Sequence, residues 1–331
     1  MNKIYRILLV VPLVFISCKE KSKQVSAEQE GNYSVYDGHV HIMSHELIKD
    51  WKNLGIPFSK PERFYSDIDT ILKINQADNI NLIGMGYVYG SPEFYQGENE
   101  YQKLKYENDY LFEVSKKYRK KVKPFFSIDP LKEYAIKEID RCLKLDVDWG
   151  LKLHFSSSQV YLTENEHLKK VKSIFKIAAE NNLPILLHFD NWHPKFGKPD
   201  VEILVDSILV DLKPIKLTIA HFGTSGGFNQ KTRNVIDTFV GLYRNDKISN
   251  RHTILFDISA VALDKDSEGV EKLTKSEFKE LKSYCNKLGY NRITFGTDYP
   301  LYMSKEYIQV LENKLGLSKS EINHIVQNKG I

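Results

Sequence analysis

Four histidines and one aspartate each lie at the end of a short apolar run in this chain of 331 residues. They are His39, His41, His188, His221 and Asp298. Imidazole nitrogens and carboxylate oxygens are the ligands that a borderline divalent cation such as zinc prefers. Residues from such distant parts of a chain can meet only where their strands lie side by side. The pattern therefore predicts a metal site at one end of a parallel sheet.

The first two histidines carry the clearest spacing signal. His39 and His41 are two residues apart on a predicted strand, so their side chains point to the same face, which Asp37 shares. Two imidazoles on a face that should be aliphatic are costly to bury unless something binds them, and this favours a metal-binding pair. For Asp298 a helix N-cap or turn aspartate is the alternative, which the nearby Pro300 also fits.

Short apolar runs alternate with longer amphipathic stretches along most of the chain. The eight runs cover residues 34–42, 80–88, 122–128, 149–155, 184–189, 216–222, 253–258 and 292–296. Eight alternating strand and helix units predict an α/β fold, a (β/α)8 TIM-like barrel in a single domain. A doubly wound open sheet is the alternative, but its edges would keep His39 and Asp298 apart. Barrel closure instead places the first and last strands side by side.

The N-terminal 17 residues have the pattern of an export signal. Lys3 and Arg6 give a positive start, and residues 7–16 form an apolar run. Cys18 follows a small residue at the end of this run, which resembles a bacterial lipoprotein signal peptide over residues 1–17. We expect Cys18 to carry the lipid, and an ordinary signal peptide with an incidental cysteine is the alternative.

The remaining sequence divides into a tether and a catalytic domain. Residues 18–33 are polar and should form a flexible tether, and residues 34–331 should form the barrel. The predicted location is the bacterial cell envelope, in the periplasm or at the cell surface, with the lipid as membrane anchor. The net charge of +4 is small and no basic stripe is interleaved with aromatic residues, so no nucleic-acid partner is expected. The oligomeric state is left open.

Five motifs in strand order resemble those of a known family. They are Asp37-Gly38-His39-Val40-His41, Gly150-Leu151-Lys152-Leu153-His154, Leu187-His188, Ala220-His221-Phe222-Gly223 and Gly296-Thr297-Asp298-Tyr299-Pro300. The series resembles the amidohydrolase superfamily and, more narrowly, its amidohydrolase-2 branch, from about residue 35 to the C-terminus. That branch contains metal-dependent hydrolases and non-oxidative decarboxylases on a distorted (β/α)8 barrel.

The resemblance implies a role for each of the five residues. His39, His41 and His188 would bind one divalent metal, usually zinc. Asp298 would be the last ligand and would also accept a proton, and His221 would be a further acid or base or a further ligand. A bound metal lowers the pKa of water toward neutrality, and a nearby carboxylate or imidazole can move its proton.

The same motifs suggest residues that contact the substrate. Lys152 would hold a substrate carboxylate or carbonyl, and His154 would line the pocket. Trp192 and His193 follow the fifth strand, and Tyr299 follows Asp298. In binuclear members of the superfamily, a lysine at the end of strand four is carboxylated and bridges two metals, which would bring two zinc ions here. A solvent-facing Lys152 is the remaining alternative.

The sequence therefore predicts an enzyme acting on a small molecule. The first hypothesis is a metal-dependent hydrolase of a small amide, ester or lactone, which the export signal favours. The alternative is a non-oxidative decarboxylase of a small aromatic or unsaturated carboxylic acid on the same metal site. A non-catalytic binding lipoprotein is the third hypothesis, and the complete set of ligand types argues against it.

Overall fold

The computed structural model describes residues 33–95, 97–267 and 269–329. The predicted signal peptide, Cys18 and all but the last residue of the tether therefore lie outside the described residues. The chain from Tyr33 onward forms one compact unit. Among the described residues no helix has both the length and the apolar character needed to cross a membrane.

In the described part of the chain, eight strands form one sheet, in which each strand pairs in parallel with the next along the chain. They are β1 (Tyr36–Ile42), β2 (Asn79–Gly84), β3 (Val122–Ser127), β4 (Gly150–His154), β5 (Ile185–His188), β6 (Lys216–Ile219), β7 (Thr253–Asp257) and β8 (Ile293–Thr294). Each strand overlaps one of the eight predicted apolar runs, so the predicted strand count and the α/β class are confirmed.

Helices connect the strands. They are α1 (His45–Asn53), α2 (Arg63–Ser66), α3 (Ile68–Asn75), α4 (Glu100–Lys116), α5 (Ala135–Leu143), α6 (Asn165–Glu180), α7 (Lys198–Ile203), α8 (Gln230–Arg244), α9 (Lys275–Leu288), α10 (Ser304–Asn313) and α11 (Lys319–Gln327). A π-helical segment, Leu204–Leu209, continues α7, and short 3-10 turns cover Gly86–Gly90, Ala220–Gly223 and Tyr290–Arg292.

Helix α6 illustrates why these segments are helical. Val171, Ile174, Phe175 and Ala178 recur at helical spacing, and all four are buried. Their common face packs into the large apolar core that also contains the outward-facing residues of the strands. Cys142 and Cys285 are buried in this core as separate thiols, and no disulfide links them.

The first and last strands approach each other through their backbones. The Gly38 N–H donates to the carbonyl of Phe295 at 2.8 Å, and the His41 N–H donates to the carbonyl of Tyr299 at 3.3 Å. The Tyr299 N–H donates back to the carbonyl of His39 at 3.2 Å. The architecture is consistent with a TIM-like barrel, and it brings the ends of the first and eighth strands together.

Strand register places the polar groups of the middle strands on the inner face. Lys152 of β4 pairs with Leu186 of β5, and His154 pairs with His188. Leu186 belongs to a small apolar cluster with residues of other strands, apart from the core under the helices. Lys152 therefore lies on the inner face of the sheet, one layer below the two histidines.

Candidate metal centre and its cavity

Three predicted ligands meet at the C-terminal ends of β1 and β8. The Nε2 atoms of His39 and His41 are 3.2 Å apart. Asp298 Oδ1 lies 3.2 Å from His41 Nε2 and 3.5 Å from His39 Nε2. One ligand atom from each residue falls within 4.8 Å of the others, which is the spacing of a metal-binding group. Strand spacing brings the two histidines together, and the contact between β1 and the chain after β8 adds the aspartate.

A buried carboxylate of β7 sets the protonation of His39. Asp257 Oδ2 lies 2.5 Å from His39 Nδ1, and both side chains are almost completely buried. The carboxylate accepts the Nδ1–H, so the lone pair of Nε2 is directed toward His41 and Asp298. Burial and repulsion by Lys152 lower the pKa of His39 to about 3, despite the attraction of Asp257. The imidazole is therefore neutral at ordinary pH.

The donor set fits a divalent cation. The lone pair of His39 Nε2 faces an oxygen of Asp298 with no proton between them, which is unfavourable unless a positive charge lies there. His41 Nδ1 is buried and has no hydrogen-bond partner among the described residues. Two imidazoles and one carboxylate, with an outer carboxylate fixing one imidazole, are the typical ligands of zinc and similar metals.

His221 lies beside this group, where its ring contacts Ser259 and His39. Its Nδ1 donates to the carbonyl of Ser259 at 2.9 Å, and its ring centroid is 4.8 Å from that of His39. Both His221 and Asp298 have positive φ angles, 52° and 51°. Such backbone costs on the order of 1–3 kcal/mol for a residue other than glycine and is concentrated at functional sites. The peptide bond between Tyr299 and Pro300 is cis.

His188 lies in the same cavity but outside the three-residue group. Its ring stacks on that of His154, with centroids 3.9 Å apart, and its Nε2 is 3.1 Å from the hydroxyl of Ser225. Tyr87 stacks on the other side of His154 at 4.6 Å. Burial, together with the neighbouring basic groups, holds the pKa of both histidines well below its usual value. The structure thus brings together three of the four predicted metal ligands.

Lys152 is a buried cation that faces the metal-binding group. Its side chain is 1% exposed, and it forms no ion pair with the described residues. Burial lowers its pKa to about 8, while the nearby carboxylates of Asp298 and Asp257 act in the opposite direction. The solvent-facing alternative for Lys152 is wrong, because the strand register turns its side chain into the interior.

One cavity of about 930 Å³ contains these groups. His39, His41, Lys152, His221 and Asp298 line its inner end, with His154 and His188 beside them. Its outer wall is largely apolar and aromatic, formed by Met43, Trp51, Phe58, Tyr65, Met85 and Phe94. Trp192 also lines the cavity, is half exposed, and donates through Nε1 to the hydroxyl of Ser225 at 3.1 Å. The volume is typical of a site for a small organic molecule.

Two predicted substrate contacts lie elsewhere. Tyr299 is fully buried and its hydroxyl donates to the carbonyl of Phe64 at 2.7 Å. His193 is exposed and packs against the ring of Tyr161, with centroids 5.5 Å apart. Neither is among the described residues that line the cavity. Each follows a cavity residue directly, and successive side chains point in different directions.

Sequence reasoning missed Asp257 and two lysines at the cavity mouth. Asp257 is the last residue of β7 and the last but one of the seventh apolar run, so the strand-end signal that identified Asp298 was present there too. Lys60 and Lys265 also line the cavity, and both are partly exposed, which places them toward its open side, here called the mouth. They lie in loops without a motif, and only the fold brings them to the site.

The fold and the cluster define a class of enzyme with a polar site at the C-terminal ends of parallel strands. The chain belongs to the amidohydrolase family, since a family model described as Amidohydrolase matches residues 96–323. The protein is therefore an enzyme of the amidohydrolase superfamily. No curated protein matches the chain in sequence.

Solved structures of known enzymes share the fold. The 5-carboxyvanillate decarboxylase from Sphingomonas paucimobilis is 11% identical with a TM-score of 0.60, covering 90% of this chain and 97% of its own. A dihydroxybenzoic acid decarboxylase from Polaromonas sp. JS666 with bound manganese is 14% identical with a TM-score of 0.59, covering 90% and 95%. A probable 2-pyrone-4,6-dicarboxylic acid hydrolase from Acinetobacter baumannii is 13% identical with a TM-score of 0.53, covering 89% and 97%.

At these identities the similarity establishes the fold alone. The donor set found here fits a divalent metal site, and one of the neighbours contains manganese. Two of the neighbours named above are described as decarboxylases and one as a probable hydrolase, and these descriptions apply to the neighbours. Both activities act on a small molecule.

Proposed function

We propose that the protein is a metal-dependent, non-oxidative decarboxylase of a small aromatic carboxylic acid. The observation that carries this proposal is Lys152, a buried cation that faces the metal-binding group from inside the same cavity. An ionised carboxylate gives a buried lysine the negative partner that it otherwise lacks. A neutral amide, ester or lactone would not provide one.

The aromatic wall supports the same choice. Trp51, Phe58 and Phe94 line the cavity together. The ring centroid of Trp51 is 6.3 Å from that of Phe58 and 5.8 Å from that of Phe94. A planar ring placed against such side chains gains apolar burial and offset stacking of about 0.5–1.5 kcal/mol per pair. The carboxyl group of that ring would then point toward Lys152.

We propose that one divalent cation binds His39, His41 and Asp298, with His188 as the predicted fourth ligand. When bound, this cation supplies a positive charge that holds and polarises substrate oxygens. Zinc remains the prediction, and manganese is the competing metal because one structural neighbour contains it. Imidazole and carboxylate ligands suit both metals. A carboxylated Lys152 bridging two cations is the binuclear alternative.

Lys152, Asp298 and His221 would have different roles in the proposed decarboxylation. Lys152 orients the carboxylate so that the bond between the ring and the carboxyl carbon can break. Carbon dioxide leaves, the electron pair stays on the ring carbon, and that carbon takes a proton from Asp298 or His221, which must first take up a proton from solvent, so that each turnover consumes one solvent proton. His221 donates through Nδ1 to the carbonyl of Ser259, so its Nε2 is the nitrogen that would take up a solvent proton and pass it to the ring carbon.

The test is carbon dioxide release from hydroxybenzoic acids by full-length protein loaded with manganese or zinc, run beside a panel of lactones and amides. We expect decarboxylation, with KM raised about tenfold or more in Lys152→Gln, because a charge-assisted contact is lost. Arg119→Gln, an exposed substitution, is the matched control. Turnover of lactones or amides without carbon dioxide release would restore hydrolysis as the function.

We also propose that the sheet closes into a complete TIM-like barrel. The three backbone hydrogen bonds between β1 and residues 295–299 support closure, because they continue the pairing from the eighth strand to the first. A crystal structure in which β1 and β8 lie at separate edges would contradict it.

We propose that the mature protein is a lipoprotein of the bacterial envelope, anchored through Cys18. The support is the sequence pattern of residues 1–18 and the polar composition of residues 19–32, which suits a tether. Labelling cells with palmitate tests the proposal. We expect label in the wild type and none in Cys18→Ala, and a labelled Cys18→Ala would refute it.

A further inference from the structure

We propose that the mouth of the cavity is a second anion site, formed by Lys60 and Lys265, so that the enzyme prefers substrates with two acidic groups. One group would face Lys152 at the metal end, and the other would bind the two lysines. The inference rests on the proposed function of this cavity and narrows its substrate class to diacids with an apolar centre.

Lys60 is positioned beside the segment that carries the metal ligand Asp298. It lies in the loop between α1 and α2, and its Nζ donates to the carbonyl of Pro300 at 2.9 Å. Its side chain is partly buried and lines the cavity together with Pro300 and Leu301. A carbonyl accepts only one of the three ammonium protons, so the remaining donors are available to a ligand.

Lys265 brings a second positive charge to the same place from the loop after β7. It pairs with Glu306 at 2.9 Å, lies over the ring of Tyr302 at 4.0 Å, and lines the cavity. Burial and the nearby Lys265 lower the pKa of Lys60, while the carboxylate of Glu306 acts in the opposite direction. Two ammonium groups that repel each other at a partly desolvated mouth are most stable when an anion lies between them.

The charged residues that line the cavity also favour a substrate with two acidic groups. Three lysines line the cavity, Lys60, Lys152 and Lys265. Within the described residues Asp298 is the one carboxylate of the lining, and it is assigned to the metal. The lining therefore has positive charge at both ends, and a single carboxylate at the inner end would leave the outer lysines without a partner from the substrate.

The size of the cavity leaves room for such a molecule. A cavity of roughly 150 Å³ is enough to hold benzene, whereas this one measures about 930 Å³. Phe58, Tyr65 and Met43 also line the cavity, and they suit an aromatic or otherwise apolar centre. A simple benzoate would fill only the inner part.

The experiment compares matched acids by calorimetry on full-length, manganese-loaded protein. One pair is benzoate and benzene-1,4-dicarboxylate, and the longer pair is biphenyl-4-carboxylate and biphenyl-4,4′-dicarboxylate. We expect the diacid to bind about tenfold more tightly than the monoacid in at least one pair, with the advantage shrinking at high salt. In the double variant Lys60→Gln with Lys265→Gln, this ratio should fall to about one.

Two further variants make the result specific. Lys60→Arg with Lys265→Arg keeps both charges and should keep most of the ratio. Lys120→Gln removes an exposed lysine before β3, at the other end of the sheet, and should leave the ratio unchanged. Equal affinities within both pairs, or a ratio unaffected by the double Gln variant, would overturn the inference. Because binding is measured directly, a diacid preference without carbon dioxide release would refute only the decarboxylase proposal.

Discussion

The two ends of the sheet differ in how far their charged and titratable side chains are exposed to water. At the C-terminal ends of the strands His39, Asp257 and Lys152 are at most 1% exposed. At the N-terminal ends the ion pairs are open to water. Arg119 pairs with Asp146 at 3.1 Å with side chains 55% and 98% exposed, and Lys123 pairs with an 85% exposed Asp148 at 3.0 Å.

This difference in exposure indicates which charged residues serve a functional site and which only interact with water. A hydrated pair can be lost with little effect because water replaces each partner, and its net contribution is about 0–1 kcal/mol. A buried polar group has lost its water and must be compensated by fixed neighbours or by a ligand. The C-terminal end keeps imidazoles, carboxylates and an ammonium group without full compensation, so a bound metal and an acidic substrate are expected there.

The largest effect should come from Asp298→Asn. The amide keeps the shape of the side chain but removes the negative charge and the ability to carry the transferred proton. We expect turnover to fall by on the order of 10³-fold, within the range for loss of a general acid or base. Circular dichroism should show an unchanged fold, and a variant that retains activity would remove Asp298 from the chemistry.

Glu107→Gln tests whether the buried end also controls stability. Glu107 Oε1 accepts from the backbone N–H of Ser44 at 2.8 Å, and burial raises its pKa to about 7. The folded protein then binds a proton that the unfolded chain has released, so the free energy of unfolding should fall as the pH rises from about 4.5 to 7. The shift corresponds to about 3 kcal/mol.

The measurement is urea unfolding of wild type and Glu107→Gln at pH 5 and pH 8. Glutamine keeps the acceptor for Ser44 and cannot ionise. Between pH 5 and pH 8 the free energy of unfolding should therefore fall by up to about 3 kcal/mol less in the variant than in the wild type. Because other groups titrate equally in both proteins, the difference between the two isolates Glu107. Identical pH dependence would show that this carboxyl is not perturbed.

A smaller effect is expected from Asp257→Asn, which acts through His39. The asparagine cannot fix the Nδ1–H tautomer as strongly as the carboxylate that now lies 2.5 Å away. Loss of such an outer partner typically costs 10–100-fold in metal affinity. Titration with zinc and manganese against a chelator should show this weakening, and unchanged affinity would mean that His39 is not a ligand.

The smallest effect belongs to the exposed end. Arg119→Gln removes an ion pair with Asp146 in which both partners are more than half exposed. We expect the free energy of unfolding to change by less than about 1 kcal/mol, with no change in metal content or turnover. A larger change would mean that the contrast between the two ends is weaker than their exposure indicates.

Much of the site could be predicted because strand geometry is local. The two-residue period of a strand places His39 and His41 on one face, and their burial follows from the apolar residues around them. The strand-end position of Asp298 gave the third member of the group. The prediction of the eight strands succeeded for the same reason, since each overlaps a short apolar run bounded by polar stretches.

Other residues could not be placed without the tertiary structure. Lys60 and Lys265 lie on different loops and share the cavity mouth only because the loops after β1 and β7 meet beside Pro300. Tyr299 and His193 were expected at the substrate, yet one side chain turns into the core and the other outward. The direction of a side chain in a loop depends on long-range packing.

The sequence by itself determined the alternation of strands and helices and the pairing of His39 with His41, because these depend on periods of two and 3.6 residues. It also identified the imidazole and carboxylate side chains that are candidate metal ligands, because ligand preference depends on residue type. The tertiary structure decided that Asp257 holds His39, that Lys152 points inward, and that His188 stacks on His154 outside the group of three. These contacts join residues up to 218 positions apart, and only the packing of the whole sheet brings such residues together.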